Sequence, residues 1–82
     1  MRRAPDSLWR SIPGTLVLAR PGGRPIVALG PAAEIWGLLA DDITAEQITQ
    51  ALLPRFAAEP ETIRADVSVL LDRLEAEGHL RA

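Results

Sequence analysis

The chain has no cysteine, no lysine and no asparagine, and only one histidine. Without cysteine there is no disulfide framework, no thiolate zinc site and no cysteine nucleophile. Without lysine, positive charge falls to nine arginines, which face eleven acids for a formal net charge of −2. Nucleic-acid binders ordinarily carry a basic excess on at least one face. Here nine of the eleven acids crowd between Asp41 and Glu77. Aromatic side chains are limited to Trp9, Trp36 and Phe56. No apolar run approaches a membrane span, and the opening MRRAPDSLW lacks the apolar centre of a signal peptide. The expectation is a cytoplasmic protein whose partners are neither membrane nor nucleic acid.

What remains is a chain of 82 residues, 48 % of them apolar. That supports one small, marginally stable domain over residues 1–82, with an ordered core expected at about 8–80. From Leu8 to Leu29 the signals are strands and turns. Leu8–Ile12 is a short mixed segment closed by Pro13-Gly14, a turn dipeptide. Thr15–Ala19 is rich in strand formers and too short for an independent helix. Pro21-Gly22-Gly23 then supplies a hairpin turn. Pro25–Leu29 is the next strand-like run, and its leading proline suits an edge better than the centre of a sheet. Alternation puts Ile26 and Ala28 on one face of that strand and Val27 and Leu29 on the other; which face meets a partner stays open.

Gly30-Pro31 marks the switch to helix, with Pro31 placed at a first helical position. Ile35, Trp36 and Leu39 follow at helical spacing. Thr44-Ala45-Glu46-Gln47 reads as a capping box, with Ile43 and Ile48 at the positions of a hydrophobic staple. The helix it opens carries Ile48, Leu52 and Phe56 inward and ends or kinks near Leu53, before Pro54. A third and longest helix runs from Pro60, near N1, to Gly78, which suits the left-handed position past a helix end. On it Ile63, Val67, Leu70, Leu71 and Leu74 form one apolar stripe. Val69 lies off that stripe, flanked by Asp66 and Arg73. Leu80 is placed to fold back on the last turn. Three strands followed by three helices make an α+β fold whose apolar faces meet in one core.

Catalytic chemistry is thin. His79 sits just past a helix end, where a solvated or dipole-associated role is the reading. Nothing supplies it with an oriented nucleophile or metal. Asp41-Asp42 is turn and dipole chemistry rather than a metal pair, since no third ligand has a supporting spacing. Pro21-Gly22-Gly23 precedes no helix and so is no phosphate loop. Catalytic residues, metal ligands and cofactors are therefore all expected to be none. Two surfaces remain as candidates for binding, although taken alone each reads as readily as a covered edge or an ordinary solvated helix face with one exposed valine. One is the edge strand Arg24–Leu29, whose unpaired backbone groups suit an added strand. The other is the off-core side of the long helix at Asp66, Val69 and Arg73.

The run Leu16-Val17-Leu18, Pro21-Gly22-Gly23, Ile26–Leu29 and Ala32–Leu39, continued by Thr44–Ile48, Asp66-Val67, Leu70–Leu74 and Gly78-His79-Leu80, resembles PqqD-like proteins. These are the precursor-peptide recognition elements of ribosomally made, post-translationally modified peptides. The resemblance spans roughly Leu8 to Leu80. Gly30 and Ala32 stand where family members typically have asparagine and threonine. The resemblance implies a winged helix-turn-helix with a three-stranded antiparallel sheet followed by three helices. It implies a leader peptide paired antiparallel with the third strand, its side chains entering the groove between that strand and the third helix. Carried over, the peptide-binding residues are Arg24, Pro25, Ile26, Val27, Ala28, Leu29, Asp66, Val69, Leu70 and Arg73.

The chain looks most like the free-standing recognition protein of lasso-peptide pathways. There it would hand the precursor to a leader peptidase and a macrolactam-forming cyclase. The pyrroloquinoline quinone type is the nearest alternative within the family. DNA binding is the rival from another class, because winged helix-turn-helix domains often serve it. However, Glu61 to Glu77 carries five acids against two arginines, where a recognition helix offers basic or amide side chains.

Overall fold

Two proline-led turns fold the first third of the chain into a sheet, in a computed structural model that describes residues 1–82. In chain order the elements are β1 (Arg2–Arg3), β2 (Leu8–Ile12), β3 (Thr15–Ala19) and β4 (Ile26–Leu29), then α1 (Ala32–Leu38), α2 (Ala45–Leu52), α3 (Pro60–Ala76) and β5 (Leu80–Arg81). Ile12 pairs with Thr15, so Pro13 and Gly14 alone make the β2–β3 turn. Gly14 has φ +78°, the value that the third position of a type II turn requires. β3 pairs antiparallel with β4 from Leu18–Ile26 to Thr15–Leu29. The sheet order β2-β3-β4 leaves β4 at an edge. The α+β arrangement of three antiparallel strands and then three helices is thus the one expected, and winged helix-turn-helix describes it loosely.

Strand alternation sorts the sheet into two faces. Leu16, Leu18, Ile26 and Ala28 are buried against the helices. They join Ile35, Trp36 and Leu39 near α1, Ile48 and Leu52 of α2, and Ile63, Val67, Leu71 and Leu74 of α3 in one cluster. The opposite face stays open, with Leu8, Ile12, Val27 and Leu29 exposed. Leu70, read as part of the core stripe, is only partly buried and sits at its border.

The helix ends follow local chemistry. Pro31 is the N-cap of α1, one position earlier than expected, and no side chain caps that helix. With neither asparagine nor threonine at Gly30 and Ala32, no side-chain oxygen is there to do so. α2 opens on the full capping box: Gln47 N–H donates to Thr44 Oγ1 at 3.1 Å, and Thr44 N–H donates to Gln47 Oε1 at 2.9 Å. It closes at Leu52, just ahead of Pro54. Pro60 is the first residue of α3. At the other end Gly78 has φ +79°. There His79 N–H donates to the Leu74 carbonyl (2.8 Å) and Gly78 N–H to that of Glu75 (3.0 Å), the paired bonds of a Schellman end.

The ordered core extends further toward the N-terminus than residue 8. β1 pairs with β5, with Arg2 opposite Arg81 and Arg3 opposite Leu80, in a second, two-stranded sheet. Ala4 is buried, and its N–H donates to the His79 carbonyl at 2.8 Å. Arg3 donates from Nε to the Trp36 carbonyl (2.8 Å) and lies over the rings of Trp9 and Trp36. These contacts turn residues 1–7 into a strap across the C-terminal end of α3.

His79 is accordingly not solvated: it is 1 % exposed. Its Nδ1 is hydrogen-bonded to Ser7 Oγ at 2.7 Å, and its ring meets that of Trp36 edge to face. The strap covers the position that a bare helix end would have left in water. Burial pushes the imidazole pKa down, and Arg20 acts in the same direction, while Glu77 and Asp6 oppose them.

The unfolded chain binds a proton at His79 more readily than the folded one, so this residue's contribution to stability is lost as pH falls from 6.5 through the lowered folded value. A proton NMR titration of the imidazole should give a midpoint below 6.5; a midpoint at or above it contradicts the burial argument. Thr44→Ala removes one half of the capping box and should lower the stability measured by urea unfolding by about 1 kcal/mol.

Candidate functional site

β4 has a sheet neighbour on one side only. On the other side its backbone pairs with no strand, and none of the turn and loop hydrogen bonds reaches Ile26–Leu29. Pro25 contributes to this edge position, since it offers no N–H to a ladder. Beside the edge runs a groove of about 300 Å³. Its sheet side is Val27, Ala28 and Leu29, and its helix side is Asp66, Val69, Leu70 and Arg73. These four stand at i, i+3, i+4 and i+7, along one face of α3. That face lies about a quarter-turn from the stripe Ile63, Val67, Leu71 and Leu74, so burying the stripe turns it toward β4.

Of the ten residues expected at the site, seven line this groove. Arg24 and Pro25 do not: they belong to the β3–β4 turn, because the ladder stops at Leu18–Ile26. Ile26 is buried in the core beneath the groove rather than in its wall. The two faces of β4 are also told apart. Ile26 and Ala28 are on the helix side, whereas Val27 (55 % exposed) and Leu29 (69 % exposed) point to the open face and form the rim.

Three lining residues, Pro31, Ala32 and Ile35, did not emerge from the sequence as part of the site. They close the groove where α1 starts directly after β4. The Gly30-Pro31 switch, one residue past an edge strand, was the signal that could have revealed them.

The groove is mainly apolar, with seven hydrophobic residues among its ten. Its charges are Asp66 and Arg73, both exposed and neither in an ion pair. Elsewhere three side-chain ion pairs form: Arg20 with Asp6 at 2.6 Å, Arg55 with Glu34 at 3.0 Å and Arg64 with Glu46 at 3.1 Å. The Arg64 guanidinium holds the Glu46 carboxyl below its ordinary value. No group of three or more His, Cys, Asp or Glu side chains is placed to hold a metal ion, and no helix is long and apolar enough to cross a membrane. The arrangement offers backbone hydrogen bonds along one side, apolar contact across the floor and one charge of each sign.

An open strand edge thus lies beside a helix-walled apolar groove, on an α+β domain of three antiparallel strands followed by three helices. Residues 15–80 match the family described as Coenzyme PQQ synthesis protein D (PqqD), and the chain belongs to that family. Its fold is that of TbiB1, solved in complex with the TbiA(beta) leader peptide: the TM-score is 0.79 at 21 % identity, over 99 % of this chain and 100 % of that one. No curated protein matches the chain in sequence.

Val69 separates the groove from the core. It is 69 % exposed, whereas Leu74 on the same helix is fully buried. Val69→Glu should therefore leave the melting temperature nearly unchanged, while Leu74→Ala should lower stability by about 2–5 kcal/mol. Thermal unfolding of the two variants side by side checks this, and a collapse of Val69→Glu would place Val69 in the core.

Proposed function

We propose that the protein is a non-enzymatic peptide chaperone. It takes the leader region of a ribosomally made, post-translationally modified peptide as an added strand on β4, antiparallel to it. Alternate side chains of the leader enter the groove, where Ala28 and Leu70 form the floor and Val69 one wall. Arg24 and Pro25 lead into the edge, and Ile26 supports it from the core. The observation that carries this reading is the coincidence of a strand edge without a partner and an apolar groove flanked by two unpaired charges. Membership of the PqqD family supports it, as does the likeness to a fold solved with a leader peptide in place. Within a lasso-peptide pathway the chaperone hands its precursor to a leader peptidase and a macrolactam cyclase, and it needs no cofactor. Filling such pockets gives affinities from about micromolar to nanomolar. Five acids against two arginines between Glu61 and Glu77 make α3 a poor reader of DNA.

Amide shifts of the labelled protein, titrated with a leader peptide encoded by a neighbouring gene and separately with duplex DNA, test the reading. The leader should move Val27–Leu29 and Asp66–Arg73, DNA should move neither, and Val69→Glu should abolish leader binding while the fold is kept. A leader that leaves both segments unmoved would refute it.

A further inference from the structure

The orientation of α3 against β4 gives the groove an electrical direction. Asp66 borders both the groove and an adjoining cavity that it shares with Pro31, just beyond the end of β4. At the far end of α3, the Arg20 guanidinium donates to the carbonyl of Gly78. Arg20 follows the last residue of β3, beside the Leu18–Ile26 pair where β4 begins. α3 therefore runs antiparallel to β4, with Asp66 toward Leu29 and Arg73 toward Ile26. Arg24, exposed and in no ion pair, adds positive charge at the Ile26 end.

A strand laid antiparallel on β4 enters at Leu29 and leaves at Ile26. Its N-terminal part thus passes Asp66 and its C-terminal part passes Arg73. Seven helical residues separate the two charges, about 10.5 Å along the axis, or roughly three residues of extended strand. Groove-facing side chains recur every second residue, so the matching positions lie about two or four apart, within reach of long side chains.

We infer that the groove is specific for the order of charge in its peptide: a basic residue first, an apolar residue against Val69 and Leu70, then an acidic residue two or four positions after the basic one. This rests on the reading of β4 as a strand-addition site. Partial exposure makes each ion pair modest, but exchanging the two charges turns two attractions into two repulsions.

The test uses two synthetic peptides of the same composition, alternating with threonine and valine at the outward positions. One places arginine, isoleucine and glutamate at i, i+2 and i+4, and the other exchanges arginine and glutamate. Binding is measured by amide shifts and by calorimetry. The arginine-first peptide should bind about tenfold more tightly at low salt, with the difference shrinking as salt rises. The double variant Asp66→Arg, Arg73→Asp should invert the preference. Equal affinities with β4 amides shifted in both cases would overturn the charge order and leave strand addition standing. A preference for glutamate first overturns it as well, by setting the peptide parallel to β4. Absence of β4 shifts with either peptide overturns the charge order together with the groove reading it rests on.

Discussion

The stripe Ile63, Val67, Leu71 and Leu74 must leave water, and it does so in the one core that α3 shares with α1, α2 and the inner face of the sheet. That burial is the constraint on which the rest depends. Once it is satisfied, the rotation of α3 is no longer free, and the neighbouring face is turned toward the edge of β4. The groove is thus a by-product of core packing: its helix wall is placed by residues that do not belong to it. Val69 can remain exposed because its burial was never needed for stability.

The edge of β4 has an equally economical origin. A sheet of three strands joined by a two-residue turn and a six-residue connection leaves both outer strands unpaired on one side. Pro25 and the six-residue connection before β4 keep that strand short, and Gly30-Pro31 converts the chain to helix directly after it. Such an edge invites pairing with any extended chain. The helix alongside confines the space next to it to a groove bounded by Asp66 and Arg73. The open backbone edge and the side-chain wall of the groove thus come from two different elements.

A second structural unit lies away from the groove. The strap of residues 1–7, the short β5 and the end of α3 are held together by the Ser7–His79 bond, the Arg20–Asp6 pair and the stacking of Arg3 over two tryptophans. Its histidine is buried as a packing residue and a hydrogen-bond partner, far from the surface role that its place after a helix end suggested. The strap fixes the C-terminal end of α3, and with it the register of the helix against the sheet.

The amino-acid sequence by itself determined the three strands of the main sheet, the three helices and most of their ends, though not the short pair β1 and β5. The Pro13-Gly14 turn, the capping box at Thr44–Gln47, the halt before Pro54, and the Pro60 to Gly78 frame of α3 all arise from residues within about four positions of one another. Order and spacing of the apolar residues were likewise enough to mark Val69, Asp66 and Arg73 as standing outside the core, and resemblance linked them to the strand before Leu29. Only the tertiary structure decided the rest. The Arg3–Trp36 and Ser7–His79 bonds join residues 33 and 72 positions apart, and no local pattern encodes such a pairing. The same holds for the face of β4 that is buried, for Pro31, Ala32 and Ile35 closing the groove, and for the antiparallel course of α3 along the strand. Each is set by how separate elements share one core, and that becomes definite only when all of them are packed at once.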